Sequence, residues 1–166
     1  MPLDNPAARS FRQRATNPYL FPLFLFARLP SAWFVGLRVR ELDEARCVTT
    51  VPYSWWSQNP FQSTYFAAQA MAAELSTGAL VLLAAEESGV RFSTLVVRNT
   101  ATFGKKATSL ARFTCEQGAD VFAAVREAKA SGEAREVTVE TVGRLADGAE
   151  VSRFTFTWSV KPRASA

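Results

Sequence analysis

The segment NPFQSTYFAAQAMAAE, which runs from Asn59 to Glu74, holds the residues best suited to chemistry in this sequence. Its only carboxylate, Glu74, stands in a small, mostly apolar run, and a carboxylate can act as a general base or as a nucleophile. A backbone N–H at the start of a helix, here that of Phe66, can polarise a carbonyl oxygen. Asn59 can orient water or a carbonyl, although Asn before Pro60 is also common in loops. These groups predict catalysis at a carbonyl, but Glu74 can also contact a ligand or only hydrogen-bond a neighbouring loop or helix.

Polar and aromatic residues around this segment are candidates for substrate binding. Gln62, Ser63 and Tyr65 offer hydrogen-bonding groups near the helix start, although Tyr65 also suits the edge of a core. The aromatic side chains that flank the loop are Trp55, Trp56 and Phe61. They predict either the lining of an acyl or aryl pocket or the cover of a sheet edge or subunit contact. Lys105 and Lys106 predict either a phosphate contact or an ordinary solvated pair.

The composition excludes several kinds of site. The chain has 166 residues and no histidine, which excludes Ser-His-Asp and Cys-His triads, histidine metal sites and histidine bases. Its two cysteines, Cys47 and Cys115, lie far apart, so we expect no zinc site, no disulfide framework and no bound metal. Buried thiols are typical of a reducing compartment and predict a cytoplasmic protein. The net charge of +4 is scattered, which predicts no nucleic-acid partner but suits a phosphate-bearing ligand.

A long helix, predicted from about Ser63 to Ala84 with Ser63 as its N-cap, must position the candidate residues. It is apolar on almost every face, so it needs cover on almost every face. Strands with alternating apolar residues are predicted on both sides of it, and each can supply one apolar face. We expect two strands before the helix, four after it and a short helix at about 119–132. The predicted fold class is therefore α+β, with a six-stranded antiparallel sheet around one long central helix.

The beginning of the chain differs from the rest in composition. Residues 1–18 are polar and predict a flexible N-terminal tail, and residues 19–162 predict a single domain. The apolar run Tyr19–Leu37 follows three arginines, which makes a signal peptide the less favoured alternative. Two prolines and Arg28 interrupt this run before it reaches the roughly 18 apolar residues of a spanning helix. We therefore expect no membrane span, and a short helix or arm packed on the domain.

The element order resembles that of the hotdog fold, and Asn59–Glu74 resembles the active-site motif of PaaI-type acyl-CoA thioesterases. That motif runs Asn, two residues, Gly, two residues, His-Gly-Gly, and then a carboxylate seven residues after the second Gly. Asn59 and Glu74 match it, whereas Gln62 stands at the first Gly and Tyr65 at the His. Phe66 and Ala67 stand at the paired glycines. Residues 20–161 are more similar to an uncharacterised hotdog branch, catalogued as a domain of unknown function.

The resemblance implies hydrolysis of an acyl or aryl thioester, with coenzyme A as part of the substrate and no separate cofactor. It implies Glu74 as base or nucleophile, the Phe66 N–H as oxyanion donor, and a homodimer or homotetramer with sites between subunits. Glu74 lies eight residues after Phe66, about 12 Å along one helix, so one subunit cannot supply both groups to one carbonyl. Hotdog hydratases need a histidine, so no hydratase activity is expected. The alternative is a non-catalytic hotdog protein that binds acyl-CoA or another hydrophobic ligand.

Overall fold

The computed structural model describes residues 3–163 of the chain. The helices within these residues are α1 (Pro6–Thr16), α2 (Leu20–Arg28), α3 (Pro30–Phe34), α4 (Phe66–Ser88) and α5 (Gly118–Ser131). The strands are β1 (Arg38–Leu42), β2 (Cys47–Val51), β3 (Phe92–Phe103), β4 (Ala111–Cys115), β5 (Arg135–Arg144) and β6 (Glu150–Pro162).

One six-stranded antiparallel sheet packs around α4 and confirms the predicted α+β architecture. The strand order is β1-β2-β4-β5-β6-β3, and α4 packs against β1, β2, β4, β5 and β6, most closely against β2. Strand β6 shows how the sequence encodes this arrangement, because its alternate residues Phe154, Phe156 and Trp158 are buried against the core. Burial of such side chains removes a large apolar area from water and stabilises the fold.

Small residues and a few buried polar groups fix α4 against the sheet. Ala72 is fully buried, and its carbonyl oxygen accepts a hydrogen bond from the Thr49 hydroxyl at 2.7 Å. On strand β6, the indole N–H of Trp158 donates to Thr77 Oγ1 at 3.0 Å. Because buried polar groups cost free energy unless they are paired, these bonds set the rotation of α4 inside the sheet.

The ends of α4 differ from the sequence prediction. The helix begins at Phe66 instead of Ser63, because the Ser63 hydroxyl donates to Asn59 and does not cap the helix. It continues to Ser88 and ends at Gly89, whose φ of 70° is the left-handed conformation that favours glycine at a helix C-terminus. The helix is long and apolar enough to cross a membrane, but most of it is buried as the core of this domain.

The N-terminal segment, predicted as a flexible tail over residues 1–18, is a helix packed against α4 in its described part. Asn5 caps α1 by accepting the N–H of Ala7 at 2.9 Å, and Ala8 and Ala15 are buried. The Asn5 N–H also donates to the Glu87 carboxylate at 3.1 Å. The segment is ordered because it covers a face of α4 that the sheet leaves open. Met1 and Pro2 lie outside the described residues.

The apolar run after α1 forms two short helices that precede the sheet. In the turn before α2, Asn17 Oδ1 accepts the N–H groups of Tyr19 and Leu20, both at 2.9 Å. The predicted short helix over this run is present. The alternating run Trp33–Leu42, which predicts the first strand, is a strand only from Arg38 onwards. The reason is Gly36, whose φ of 76° turns the chain between α3 and β1.

Candidate functional site

The loop before α4 is held closed by the side chain of Asn59. Its Oδ1 accepts the N–H of Phe61 at 3.0 Å, the N–H of Ser63 at 3.2 Å and the Ser63 hydroxyl at 3.3 Å. The backbone of Asn59 adds a hydrogen bond from its N–H to the Ser63 carbonyl at 2.9 Å. The amide oxygen of Asn59 is therefore engaged within the loop, and Ser63 is engaged with it.

Gln62 has the only positive φ, 60°, of any non-glycine residue among residues 3–163. This left-handed conformation strains a residue with a Cβ and suits glycine. It supplies a physical reason why the similar thioesterase motif has Gly at this position. The Gln62 side chain is exposed and makes no hydrogen bond within the described residues, so it is accessible at the surface beside the helix start.

The first turn of α4 presents backbone donors. The N–H groups of Phe66, Ala67 and Ala68 donate no hydrogen bond within residues 3–163, and Tyr65 at the N-cap makes no side-chain capping bond. The preceding backbone is fixed, because the Tyr65 N–H donates to the Ser57 carbonyl at 2.7 Å. Oriented amide groups at the positive end of a long helix can stabilise a developing oxyanion.

The other predicted binding residues divide between two neighbouring places. Lys106 joins the helix-start loop, because its Nζ donates to the Phe61 carbonyl at 2.8 Å. Lys105 is exposed next to it in the same connection. Trp56, in contrast, packs against Phe34 of α3, with 5.3 Å between the ring centroids. The helix start therefore combines open amide donors with two cations, which suits an anionic phosphate-bearing ligand.

Glu74 lies in a different environment, at a cavity of about 370 Å³ between α4 and the N-terminal helices. Most of the lining is apolar, and its bulkiest side chains are Phe11, Phe21, Phe24, Leu25, Leu29 and Trp158. The Glu74 carboxylate makes no hydrogen bond and no ion pair within residues 3–163. Burial raises the pKa of Glu74 above its ordinary value, which makes the carboxylate a stronger base once it is deprotonated.

Gly78 creates the space beside this carboxylate. A Cβ at Gly78 would stand 3.3 Å from Glu74 Oε1 and 3.2 Å from the Trp158 ring, closer than side chains normally pack. The absence of that atom lets the Trp158 ring and the carboxylate lie against the helix backbone together. Arg28 is the one basic residue on the cavity lining and is exposed at the surface.

The predicted site residues thus form two groups. The start of α4 and the loop before it hold Asn59, Phe61, Gln62, Ser63, Tyr65 and Phe66, with Lys106 bonded to that loop and Lys105 next to it in the chain. Glu74 lies about 12 Å along the helix, and Trp56 belongs to neither group because it packs against α3. The sequence interpretation missed the cavity lining contributed by α1 and α2. A usable signal was Arg28, a lone charge inside an apolar run.

The cysteines do not provide an alternative nucleophile. Both thiols are free and buried, and burial raises the pKa of Cys115 to about 11 and that of Cys47 further. A thiol with so high a pKa supplies almost no thiolate at neutral pH. Among residues 3–163, no group of three or more acidic or cysteine side chains is placed to hold a metal ion. The candidates for chemistry at this site are therefore the Glu74 carboxylate and the backbone amides at the start of α4.

The chain is similar to one known family and to several solved structures. The family model described as Domain of unknown function (DUF4442) matches residues 18–160. A Pseudomonas aeruginosa protein of unknown function, described as a probable thioesterase, is 20% identical with a TM-score of 0.72, over 98% of this chain and 100% of that one. A search among curated proteins finds no match.

Two further solved structures share the fold at lower identity. The Escherichia coli PaaI protein from the phenylacetic acid degradation operon is 12% identical with a TM-score of 0.63, over 96% of this chain and 98% of that one. A thioesterase from Haemophilus influenzae is 11% identical with a TM-score of 0.60, over 84% of this chain and 88% of that one. These likenesses establish the hotdog fold that the element order predicted.

Proposed function

Because the chain belongs to the family described as Domain of unknown function (DUF4442), whose name assigns no activity, we propose a function from the site itself. The proposed function is hydrolysis of an acyl or aryl thioester, with coenzyme A as the thiol that leaves. The observation that carries it is Glu74, a carboxylate without a partner among the described residues, in an apolar cavity of about 370 Å³. The hotdog fold, shared with proteins described as thioesterases, supports the same reaction class.

In this proposal the cavity binds the acyl or aryl group and Glu74 acts on its carbonyl carbon. As a general base, Glu74 takes a proton from water while the water oxygen bonds to that carbon; as a nucleophile, it bonds to the carbon itself. The Phe66 N–H donates to the carbonyl oxygen as negative charge develops there. On the general-base route, the carbon–sulfur bond then breaks and the thiolate takes up the proton that Glu74 holds. On the nucleophile route, the carbon–sulfur bond breaks to leave an anhydride between Glu74 and the acyl group; water then hydrolyses this anhydride, which restores the Glu74 carboxylate and supplies the proton that the thiolate takes up. The products are a carboxylic acid and free coenzyme A.

The spacing along α4 requires two subunits in this mechanism. Phe66 and Glu74 of one helix lie about 12 Å apart, so the donor and the carboxylate at one carbonyl must come from different chains. Thr94 of β3 also lines the cavity, and β3 is a sheet edge with exposed apolar side chains such as Leu95. An unpaired edge of this kind favours pairing with another chain. We therefore propose a homodimer, or a homotetramer built from such dimers.

Other parts of the structure support the substrate class and the compartment. Lys106 donates to the Phe61 carbonyl in the loop before α4, and Lys105 is its neighbour in the chain. We propose that this pair contacts the phosphates of coenzyme A and that no cofactor beyond the substrate is required. The two free thiols suit the reducing conditions of the cytoplasm, where we place the protein.

Release of free thiol from a panel of short-chain, medium-chain, long-chain and aryl acyl-CoAs tests the proposal. We expect thiol release from at least one substrate. Glu74→Gln should lower kcat/KM by about 100-fold or more, which is the rate loss expected when a general base is removed. Glu86→Gln, on an exposed position of the same helix, is the matched control and should retain activity. Because burial raises the pKa of Glu74, the acidic limb of kcat/KM should lie above the ordinary glutamate range near pH 4.3.

Two results would contradict the proposed hydrolysis. Thermal stabilisation by acyl-CoA without thiol release from any of them would favour a non-catalytic hotdog protein that binds a hydrophobic ligand. Unchanged release by Glu74→Gln would remove Glu74 from the mechanism.

A further inference from the structure

The N-terminal helices carry a large exposed apolar surface that the proposed hydrolysis does not use. Helix α2 buries only Phe21 and Leu25, whereas Leu23 is 66% exposed and Phe26 is 59% exposed. We define the aromatic face as a set of exposed side chains from α2, α3 and the loop after β2, namely Leu20, Leu23, Phe26, Trp33, Phe34 and Trp56. Large exposed apolar surfaces on folded domains mark interaction sites.

The aromatic face is continuous across three segments of the chain. Ring centroids lie 5.1 Å apart between Phe26 and Trp33, 5.2 Å apart between Trp33 and Phe34, and 5.3 Å apart between Phe34 and Trp56. Trp55 extends the series, with its ring 4.8 Å from that of Trp56. Tryptophan has an apolar ring and a polar N–H, so it is favoured where hydrocarbon meets water.

The segment of the chain that forms α1, α2 and α3 carries charges of one sign. Residues 5–40 contain six arginines and no aspartate, glutamate or lysine. All six arginine side chains are at least partly exposed: Arg9, Arg12, Arg14, Arg28, Arg38 and Arg40. The remainder of the chain carries 13 basic and 15 acidic residues, so basic residues are scattered along the whole chain but the excess positive charge resides in this segment. Such a segment is complementary to a negatively charged surface.

We propose that the aromatic face docks this protein on an anionic phospholipid surface. Leu23 and Phe26 enter the boundary between headgroups and acyl chains, and the arginines that bracket α2 contact lipid phosphates. With nine residues, α2 is about 13 Å long, so it lies in the interface and does not span the bilayer. A second copy of the chain fits this face less well, because self-association would bring two arginine-rich segments together.

Vesicle flotation with the full chain tests the docking. Binding is expected to vesicles in which about a third of the lipid is phosphatidylglycerol, to be weaker with phosphatidylcholine alone, and to weaken at high salt. Leu23→Ser with Phe26→Ser should lower the partition coefficient at least tenfold. Arg14→Gln should lower it about fivefold on the anionic vesicles only. Both apolar substitutions are at exposed positions outside the cavity lining, and circular dichroism should confirm an unchanged fold.

Matched controls are available elsewhere on the surface. Leu110→Ser changes an exposed leucine between β3 and β4, and Arg126→Gln changes an exposed arginine on α5; both should bind as the wild type does. The proposal is overturned if the wild type stays with the unbound fraction, or if the double variant floats equally well. It is also overturned if the double variant lowers the oligomer mass in light scattering while vesicles remain unbound, since the face would then be a subunit contact.

Discussion

The first turn of α4 and the middle of the same helix present different chemical groups, backbone amides in the first turn and a side-chain carboxylate in the middle. At the first turn, the side chain of Asn59 is engaged in the loop, while the amide N–H groups from Phe66 onwards donate to nothing among the described residues. In the middle, the backbone is bonded within the helix, while the Glu74 carboxylate has no partner there. The first turn therefore offers a fixed dipole, and the middle offers a titratable group.

This difference shows why substitution has different consequences in the two regions. A backbone donor persists when the side chain on it changes, so Phe66 and Ala67 can stand where the similar motif has glycines without removing the N–H groups. A carboxylate is lost when its side chain is replaced, and Glu74 is, with Asn59, one of the two positions at which the motif and this chain agree. At the first turn, substitutions should separate the backbone donor, which affects activity, from the loop side chains, which affect stability.

Phe66→Pro should have the largest effect, because it removes the proposed oxyanion donor together with the exposed Phe66 ring. Proline is favoured at the first position of a helix, and Tyr65 before it already has ψ of 138°, which proline requires. We expect kcat/KM to fall by about 10²–10³, the effect of losing one oxyanion-hole donor, while the unfolding midpoint changes little. Thiol release and thermal unfolding measure the two quantities.

Phe66→Ala is the matched control, since it removes the ring and retains the N–H. Loss of activity in both variants would assign the effect to the Phe66 ring and not to the donor. Mixing Phe66→Pro chains with Glu74→Gln chains makes the same comparison between subunits. Random reassociation of dimers should restore about a quarter of wild-type activity, because half the dimers then contain one complete site of two. No restoration would contradict a site shared between chains.

Asn59→Ala should mainly lower stability. The substitution leaves two backbone N–H groups and the Ser63 hydroxyl without their acceptor, which should cost about 1–2 kcal/mol of unfolding free energy in urea. The matched control is Gln58→Ala, which removes an exposed side-chain amide that makes no hydrogen bond within the described residues. This substitution should lower the free energy of unfolding much less. If kcat falls 100-fold while stability is unchanged, the Asn59 amide acts on the substrate or on water instead.

The sequence predicted the fold because the signals that specify it are local and repeated. Alternation in β6 and the all-round apolar character of α4 each require cover, and only a curved sheet around a helix satisfies both. The position of Glu74 on α4 followed from spacing. Its surroundings did not, because the cavity walls come from α1 and α2, which pack there through tertiary contacts of Phe11 and Leu25.

The N-terminal segment shows most clearly what local pattern could not reveal. Residues 5–17 are polar enough to read as a tail, yet Ala8 and Ala15 are buried against α4 and Glu87 accepts N–H groups from the segment. A helix this short is marginal alone and depends on the surface it covers. That surface is formed by residues far along the chain.

Gln62→Gly should have the smallest effect, and it separates backbone from side chain at the first turn. Glycine removes the strain of φ 60° but adds freedom to the unfolded chain, so we expect a net gain of about 0.5–1 kcal/mol in urea unfolding. Gln58→Gly, at a position without positive φ, should instead lower stability by a similar amount. If Gln62→Gly raises stability while kcat/KM falls tenfold, the Gln62 amide contacts substrate. The start of α4 would then bind substrate through a side chain as well as through backbone amides. A loss of stability equal to that of Gln58→Gly would show that the loop does not hold Gln62 in the left-handed conformation.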